Sequence, residues 1–203
     1  MSDNARTLWV AAAALATAAV LAGCGSSGTT PTGSATRSST VMSAAPESNP
    51  AGDIPDNQAF VPFTPPGGTF TVSVPEGWAR TTDGAATVFT DKSNTVRIET
   101  HARATAPNTE SVSVEELPAI ASSTAGYRPG AVSALQRKSG QVMLITYQGT
   151  SAPNPVTGKI GTDAIERYEF WRDGYEVILT MFGPVGADNV DPWRTITDSL
   201  QWQ

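Results

Sequence analysis

From Phe70 to Phe182 apolar side chains recur at every second residue in short runs, the spacing of strands that turn one face to a core. Phe70-Thr71-Val72-Ser73-Val74 alternates strictly and is stopped by Pro75-Glu76-Gly77, after which Trp78 opens the next segment. Asp83-Gly84 marks a turn before Ala86 to Thr90. Lys92-Ser93-Asn94 marks another before Thr95 to Ala104, so this part of the chain predicts an antiparallel meander. Ala131 to Arg137 and Gln141 to Thr150 are joined by Lys138-Ser139-Gly140. Ile165 to Arg172 and Tyr175 to Phe182 flank Asp173-Gly174, the strongest hairpin signal in the chain. Val142-Met143-Leu144-Ile145 is apolar on both faces, and the last strand sets Tyr175, Val177, Leu179 and Met181 against Ile178, Thr180 and Phe182. Both are expected to be covered from two sides, the second at the centre of the sheet.

Twice the period changes to that of a helix. Val114, Leu117, Ile120 and Ala121 recur at helical spacing, with Ser113 and Glu116 in capping-box relation, and this helix ends by Gly126. Pro118 conflicts with an early start because it has no amide to donate, so either the first turn is irregular or the helix begins near Leu117. At the end of the chain Asp191 can cap, Pro192 suits the first helical position, and Trp193, Ile196, Thr197 and Leu200 form an inward stripe. Before the first strand, Pro55, Pro62, Pro65 and Pro66 keep Asp53 to Gly68 extended, with Phe60, Val61 and Phe63 packing across the domain surface. Helices midway and at the end, covering an antiparallel sheet, define an α+β sandwich. Residues 53–203, about 150 in number, suffice for one domain with a real core, and no repeat or second domain is visible.

The amino-terminal part follows other rules. Arg6 and the free amino terminus precede an apolar run from Leu8 through Ala22, 15 residues, which is too short for a bilayer span of roughly 17 to 25 but right for an export signal. It ends in Leu21-Ala22-Gly23-Cys24, small residues before the only cysteine of 203 residues. A plain secretory signal with an incidental cysteine is the alternative, but it would leave an unpaired thiol in an oxidising space, whereas acylation of Cys24 removes it. From Gly25 to Gly52 the chain is nearly all Ser, Thr, Gly, Pro and Ala, a composition that cannot bury enough apolar surface to become ordered. The expected organisation is a signal peptide over 1–23, a disordered tether over 24–52 with a root-mean-square reach of about 30 Å, and the globular domain over 53–203.

A formal net charge of −6, unchanged by loss of the signal's one Asp and one Arg, and the lack of a basic cluster argue against nucleic acid and against electrostatic docking on membranes. The sequence has no Gly-x-Ser-x-Gly elbow, P-loop, Gly-x-Gly-x-x-Gly or calcium loop. One histidine and one cysteine leave carboxylates as the only candidate chemistry. On Thr95 to Ala104 the period puts His101 with Arg97, Glu99 and Arg103 on a charged, solvated face, opposite Val96, Ile98, Thr100 and Ala102. Nothing in the spacing supplies it with a nucleophile and an orienting acid. Glu115 with Glu116, and Glu166 with Glu169, are the carboxylate pairs a glycosidase could use. On a helix Glu115 and Glu116 point apart, Glu116 serves better as a cap partner, and Glu166 and Glu169 fall on opposite faces of a strand. No catalytic, cofactor-binding or metal-binding residue is therefore assigned.

Leu21-Ala22-Gly23-Cys24 matches the four positions of the bacterial lipobox. Further on, Ile54-Pro55-Asp56-Asn57-Gln58-Ala59-Phe60, the run Phe70 to Trp78 reading F-T-V-S-V-P-E-G-W, a mid-chain helix and a final helix containing Trp193 resemble the LpqN-type lipoproteins of mycobacteria and their relatives. The resemblance implies the Mog1/PsbP-like fold, an α/β/α sandwich with a central antiparallel sheet between helices. It also implies a binding or assembly protein of envelope lipid traffic with no catalytic residues and no cofactor, lipidated at Cys24. The expectation is a non-enzymatic lipoprotein held by acylated Cys24 on the extracytoplasmic side of the cell membrane, where two acyl chains anchor stably. Its partner would be an envelope protein or an amphiphilic lipid. A cell-wall hydrolase with an unrecognised carboxylate pair and a purely structural envelope protein are the alternatives.

Overall fold

The computed structural model describes residues 52–154 and 156–203. The export segment, Cys24 and the tether up to residue 51 lie outside the described residues. Ten strands are formed: β1 (Phe60–Phe63), β2 (Phe70–Pro75), β3 (Ala79–Asp83), β4 (Ala86–Asp91), β5 (Asn94–Ala102), β6 (Arg128–Arg137), β7 (Gly140–Thr150), β8 (Thr162–Arg172), β9 (Tyr175–Pro184) and β10 (Gln201–Trp202). Seven of them make one antiparallel sheet in the order β3-β4-β5-β9-β8-β7-β6. It consists of two meanders, β3 to β5 and β6 to β9, closed along the pairing of Thr95–Ala102 with Tyr175–Phe182. β9 is thus the central strand, the place where a strand apolar on both faces is stable.

β2 departs from the expected meander. It does not pair with β3 but lies between β1 and β10 in a separate three-stranded sheet. Pro75 has no amide to continue a ladder, and Gly77, at φ 82, turns the chain away before β3. Phe70, Val72 and Val74 then need a cover, and they find it against one face of the large sheet and the C-terminal helix α3 (Val190–Asp198). Phe70, Val72, Ile196, Leu179 and Met181 are completely buried in this main core, where each large apolar side chain contributes about 1.5–3 kcal/mol.

The inward stripe of α3 is as expected, with Trp193, Ile196, Thr197 and Leu200 buried. Its start is not. Asn189, not Asp191, occupies the N-cap position, and Pro192 is the third helical residue. The Asn189 side chain makes no cap because it is engaged elsewhere. It accepts from the Ile54 amide at 2.8 Å and donates to Asn94 Oδ1 at 3.0 Å and to the Gly52 carbonyl at 3.2 Å. Asn94 also donates to the Gly52 carbonyl, at 2.8 Å. Two buried amides thereby clasp the first described residues to the body of the domain.

Over the other face of the large sheet runs a helical segment in three pieces: α1 (Thr109–Ser111), a π-type turn (Val112–Glu116) and α2 (Leu117–Ser123). Both sequence alternatives hold, since an irregular start precedes a regular helix that begins at Leu117. The Leu117 amide bonds to the Val112 carbonyl five residues back, so the turn before Pro118 is widened. This extra residue rotates the helical face. Val112 is fully buried, whereas Val114, which regular spacing would place inward, is 69% exposed. The capping box is formed by Asn108 and Ser111, not by Ser113 and Glu116. Among the described residues no helix is long and apolar enough to cross a membrane.

Candidate functional site

Strand register places three rows of side chains across the helix-covered face of the large sheet. Arg97, Thr180, Arg167 and Ile145 form one row, Glu99, Ile178, Glu169 and Met143 the next, and His101, Glu176 and Trp171 the third. The helical segment packs Val112, Leu117 and Ile120 onto Met143 and Ile145. That contact brings Glu116, at the end of the π-type turn, over the charged rows.

The result is an ion cluster built from four separate elements. Arg103, just past β5, donates from Nη1 to Glu116 Oε1 at 2.6 Å and to Glu176 Oε1 at 2.8 Å. Arg167 on β8 donates from Nη2 to Glu116 Oε2 at 3.2 Å and from Nε to Glu169 Oε1 at 2.9 Å. Trp171 Nε1 donates to the Arg103 carbonyl at 2.8 Å and fixes the start of that side chain. Oxygens of Glu116, Glu169 and Glu176 lie within 4.8 Å of one another. Three carboxyls facing two guanidiniums leave one negative charge over. The natural place for a proton is Glu169 Oε2, which is buried without a hydrogen-bond partner and stands 3.9 Å from Arg103 Nη1.

The electrostatics agree with that placement. Burial, and then the neighbouring Glu116, push the Glu169 carboxyl up to about 8. Burial also works to raise Glu116, but the neighbouring Glu169 carboxyl and the two arginines hold it below the usual carboxylate range. Glu176 is raised by burial, partly offset by Arg103. Burial lowers both guanidiniums, yet their carboxylate partners leave Arg103 and Arg167 above the ordinary arginine value.

Beside Glu169 lies a pocket of about 190 Å³ lined by Ala106, Pro107, Gln141, Met143, Glu169 and Trp171. A second cleft of about 280 Å³ lies at the opposite end of the sheet, between the β4–β5 turn and the β7–β8 loop. Both fall below the roughly 300–1,000 Å³ of ordinary small-molecule sites.

The sequence-derived candidates are distributed as follows. His101 is exposed at the edge of the third row, as expected. Glu115 is turned outward with its side chain 67% exposed, apart from Glu116. Glu166 and Glu169 fall on opposite faces, and Glu166 accepts from the Tyr168 hydroxyl at 2.6 Å. Glu116 is not a cap partner but the bridge between two arginines. The face carrying Arg97 and Glu99 is not freely solvated either, since those side chains are 28% and 22% exposed within the same charged network. Arg103, Arg167, Glu176 and Trp171 were not singled out. A signal existed in the two Arg-x-Glu pairs, Arg97 with Glu99 and Arg167 with Glu169, each setting opposite charges two residues apart on one strand face.

An antiparallel sheet with a helical segment on one face and a C-terminal helix on the other is an α+β fold of the Mog1/PsbP-like kind. No family model and no curated protein matches the chain in sequence. Among solved structures, cyanobacterial PsbP (CyanoP) from Synechocystis sp. PCC 6803 is similar over 76% of this chain and 100% of its own, at TM-score 0.53 and 11% identity. The Ran-binding protein Mog1p of Saccharomyces cerevisiae matches 71% of this chain and 96% of its own, at TM-score 0.46 and 10% identity. LpqN of Mycobacterium tuberculosis, described as involved in cell envelope biogenesis, matches 72% of this chain and 91% of its own, at TM-score 0.40 and 13% identity. At 11% identity the likeness to CyanoP is one of fold.

Proposed function

We propose that this protein is a non-enzymatic binding module of the cell envelope, anchored through acylated Cys24 and serving envelope lipid transport or wall assembly through a protein partner. The anchor reading rests on Leu21-Ala22-Gly23-Cys24 and the tether that follows. The binding reading rests on one observation: both oxygens of Glu116 and the Oε1 of Glu176 are bound by arginines, and Glu169 Oε1 by Arg167. Only Oε2 of Glu169 and Oε2 of Glu176 stay outside these bonds, and each of the three carboxyls is tied to an arginine, where acid–base hydrolysis needs two carboxyls free to work on one substrate. The 190 Å³ pocket beside Glu169 suits one side chain of a partner better than an acyl tail.

A photocrosslinker at Gln141, in the acylated protein in its own membranes, tests this. The expected product is a crosslink to an envelope protein, lost in Trp171→Ala. Capture of lipid alone would favour an amphiphilic ligand, and capture of neither would remove the basis for a binding module. The hydrolase reading keeps one point in its favour, the opposite displacement of Glu169, pushed up, and Glu116, held down, the divergence seen in acid–base pairs. It requires release of soluble wall fragments that stops in Glu169→Gln.

A further inference from the structure

Among the described residues five large apolar side chains are strongly exposed, and four of them lie near one end of the sheet: Val156 (91%), Ile160 (61%) and Val185 (49%) in loops and Val190 (61%) at the start of α3. Strand register explains the convergence. Thr150 pairs with Thr162 and Asp163 with Pro184, so the β7–β8 loop and the segment after β9 leave the sheet side by side. The Val185 amide bonds to the Thr162 carbonyl at 2.9 Å. The fifth residue, Val114, is on the helical segment. The same end receives the chain from the tether: Gly52 is clasped by Asn94 and Asn189, and a Cβ on it would stand 2.7 Å from Pro184 Cγ.

We infer that this end is a membrane-docking surface, occupied by the bilayer in which Cys24 is anchored. The inference rests on the anchor reading. Position favours the bilayer over another partner, because the exposed apolar residues share the end of the sheet from which about 28 residues lead back to Cys24. The composition of that stretch sets an expected reach of about 30 Å, which would hold the attached surface at an effective concentration in the millimolar range, so a weak apolar patch is enough. Charge sets the lipid class. Lys92 pairs with Asp91 at 3.8 Å, and the two lysines of these turns, Lys92 and Lys159, are outnumbered by Asp53, Asp91 and Asp188, so the end is not basic and docks by apolar insertion at the headgroup boundary. Attraction to anionic lipid is not required.

Cys24 is the only cysteine, and acylation consumes its thiol, so Val156→Cys in the full chain takes a polarity-sensitive fluorophore at one place. In vesicles of phosphatidylcholine containing acyl-brominated lipid, the label at 156 should shift to the blue and be quenched severalfold more than the same label in Val114→Cys. Adding Ile160→Asp and Val185→Asp should abolish that difference while the protein still floats with the vesicles. Flotation with equal quenching at 156 and 114 overturns docking and leaves the anchor standing. Loss of flotation overturns both, and the Cys24→Ser variant, labelled at 156 and still quenched, would show the patch acting without the anchor.

Discussion

Glu169→Gln isolates the proton assigned to the ion cluster. In the native protein this carboxyl titrates at about 8 and in the unfolded chain near its ordinary 4.5. Between those values the folded state holds a proton that the unfolded state has released, so stability falls as pH rises. The contribution is fully present below about 4.5, is lost progressively up to about 8, and is flat above. Each unit is worth about 1.4 kcal/mol, and the side chain is fully buried, so the wild type should lose on the order of 3–5 kcal/mol over that range. Glu116, displaced downward, titrates below this window and does not oppose it, while Glu176, displaced upward, adds with the same sign. Glutamine keeps the shape, accepts from Arg167 Nε through its carbonyl and offers an amide proton toward Glu116. Urea unfolding followed by tryptophan fluorescence, in a Cys24→Ser background at pH 5, 6, 7 and 8, reads the slope. Glu169→Gln should cost little at pH 5 and be the more stable protein at pH 8. An equally steep decline in both proteins, or a flat wild-type profile, would refute the placement of the proton.

Arg103→Ala strips Glu116 of the shorter of its two ion pairs and Glu176 of its ion pair to Arg103, and should destabilise by about 3–5 kcal/mol, measured by urea unfolding at pH 7. Asn189→Ala leaves the buried Ile54 amide without an acceptor and should cost about 1–3 kcal/mol. Hydrogen exchange should then rise at residues 52–54 before it rises in β9. Phe70→Ala, in the middle of the main core, should cost about 3–5 kcal/mol and lower the thermal midpoint accordingly. Gly183→Ala would drive a methyl into the Asn94 side chain, itself held by Asn189; a loss of about 1–3 kcal/mol is expected.

The strands of the large sheet, both of its later hairpins and the buried stripe of the last helix were legible in the sequence, because each is a local matter. Period-two alternation needs only neighbouring residues, and Asp173-Gly174 turns the chain with φ of 50 and 85 wherever it stands. The doubly apolar character of β9 even announced its central place. Legibility ended where partners lie far apart along the chain. That β2 pairs with β10 and not β3 depends on Trp202 meeting Phe70, which no local pattern encodes. Val112 replaced Val114 in the interior because Pro118 widened the preceding turn, and the direction of that rotation is set by the sheet beneath it.

The ion cluster is the clearest division. In the sequence Glu169 falls on one face of a strand, opposite Glu166, and Glu116 takes the part of a cap partner on a helix. Only the packing of that helix across β7 and β8, with β5 and β9 closing the sheet, put the charges from four elements within hydrogen-bonding distance. Electrostatic energy depends on separation in space and on exclusion of water. Neither is a property of residue spacing, so the upward displacement of the Glu169 carboxyl belongs to the tertiary structure alone.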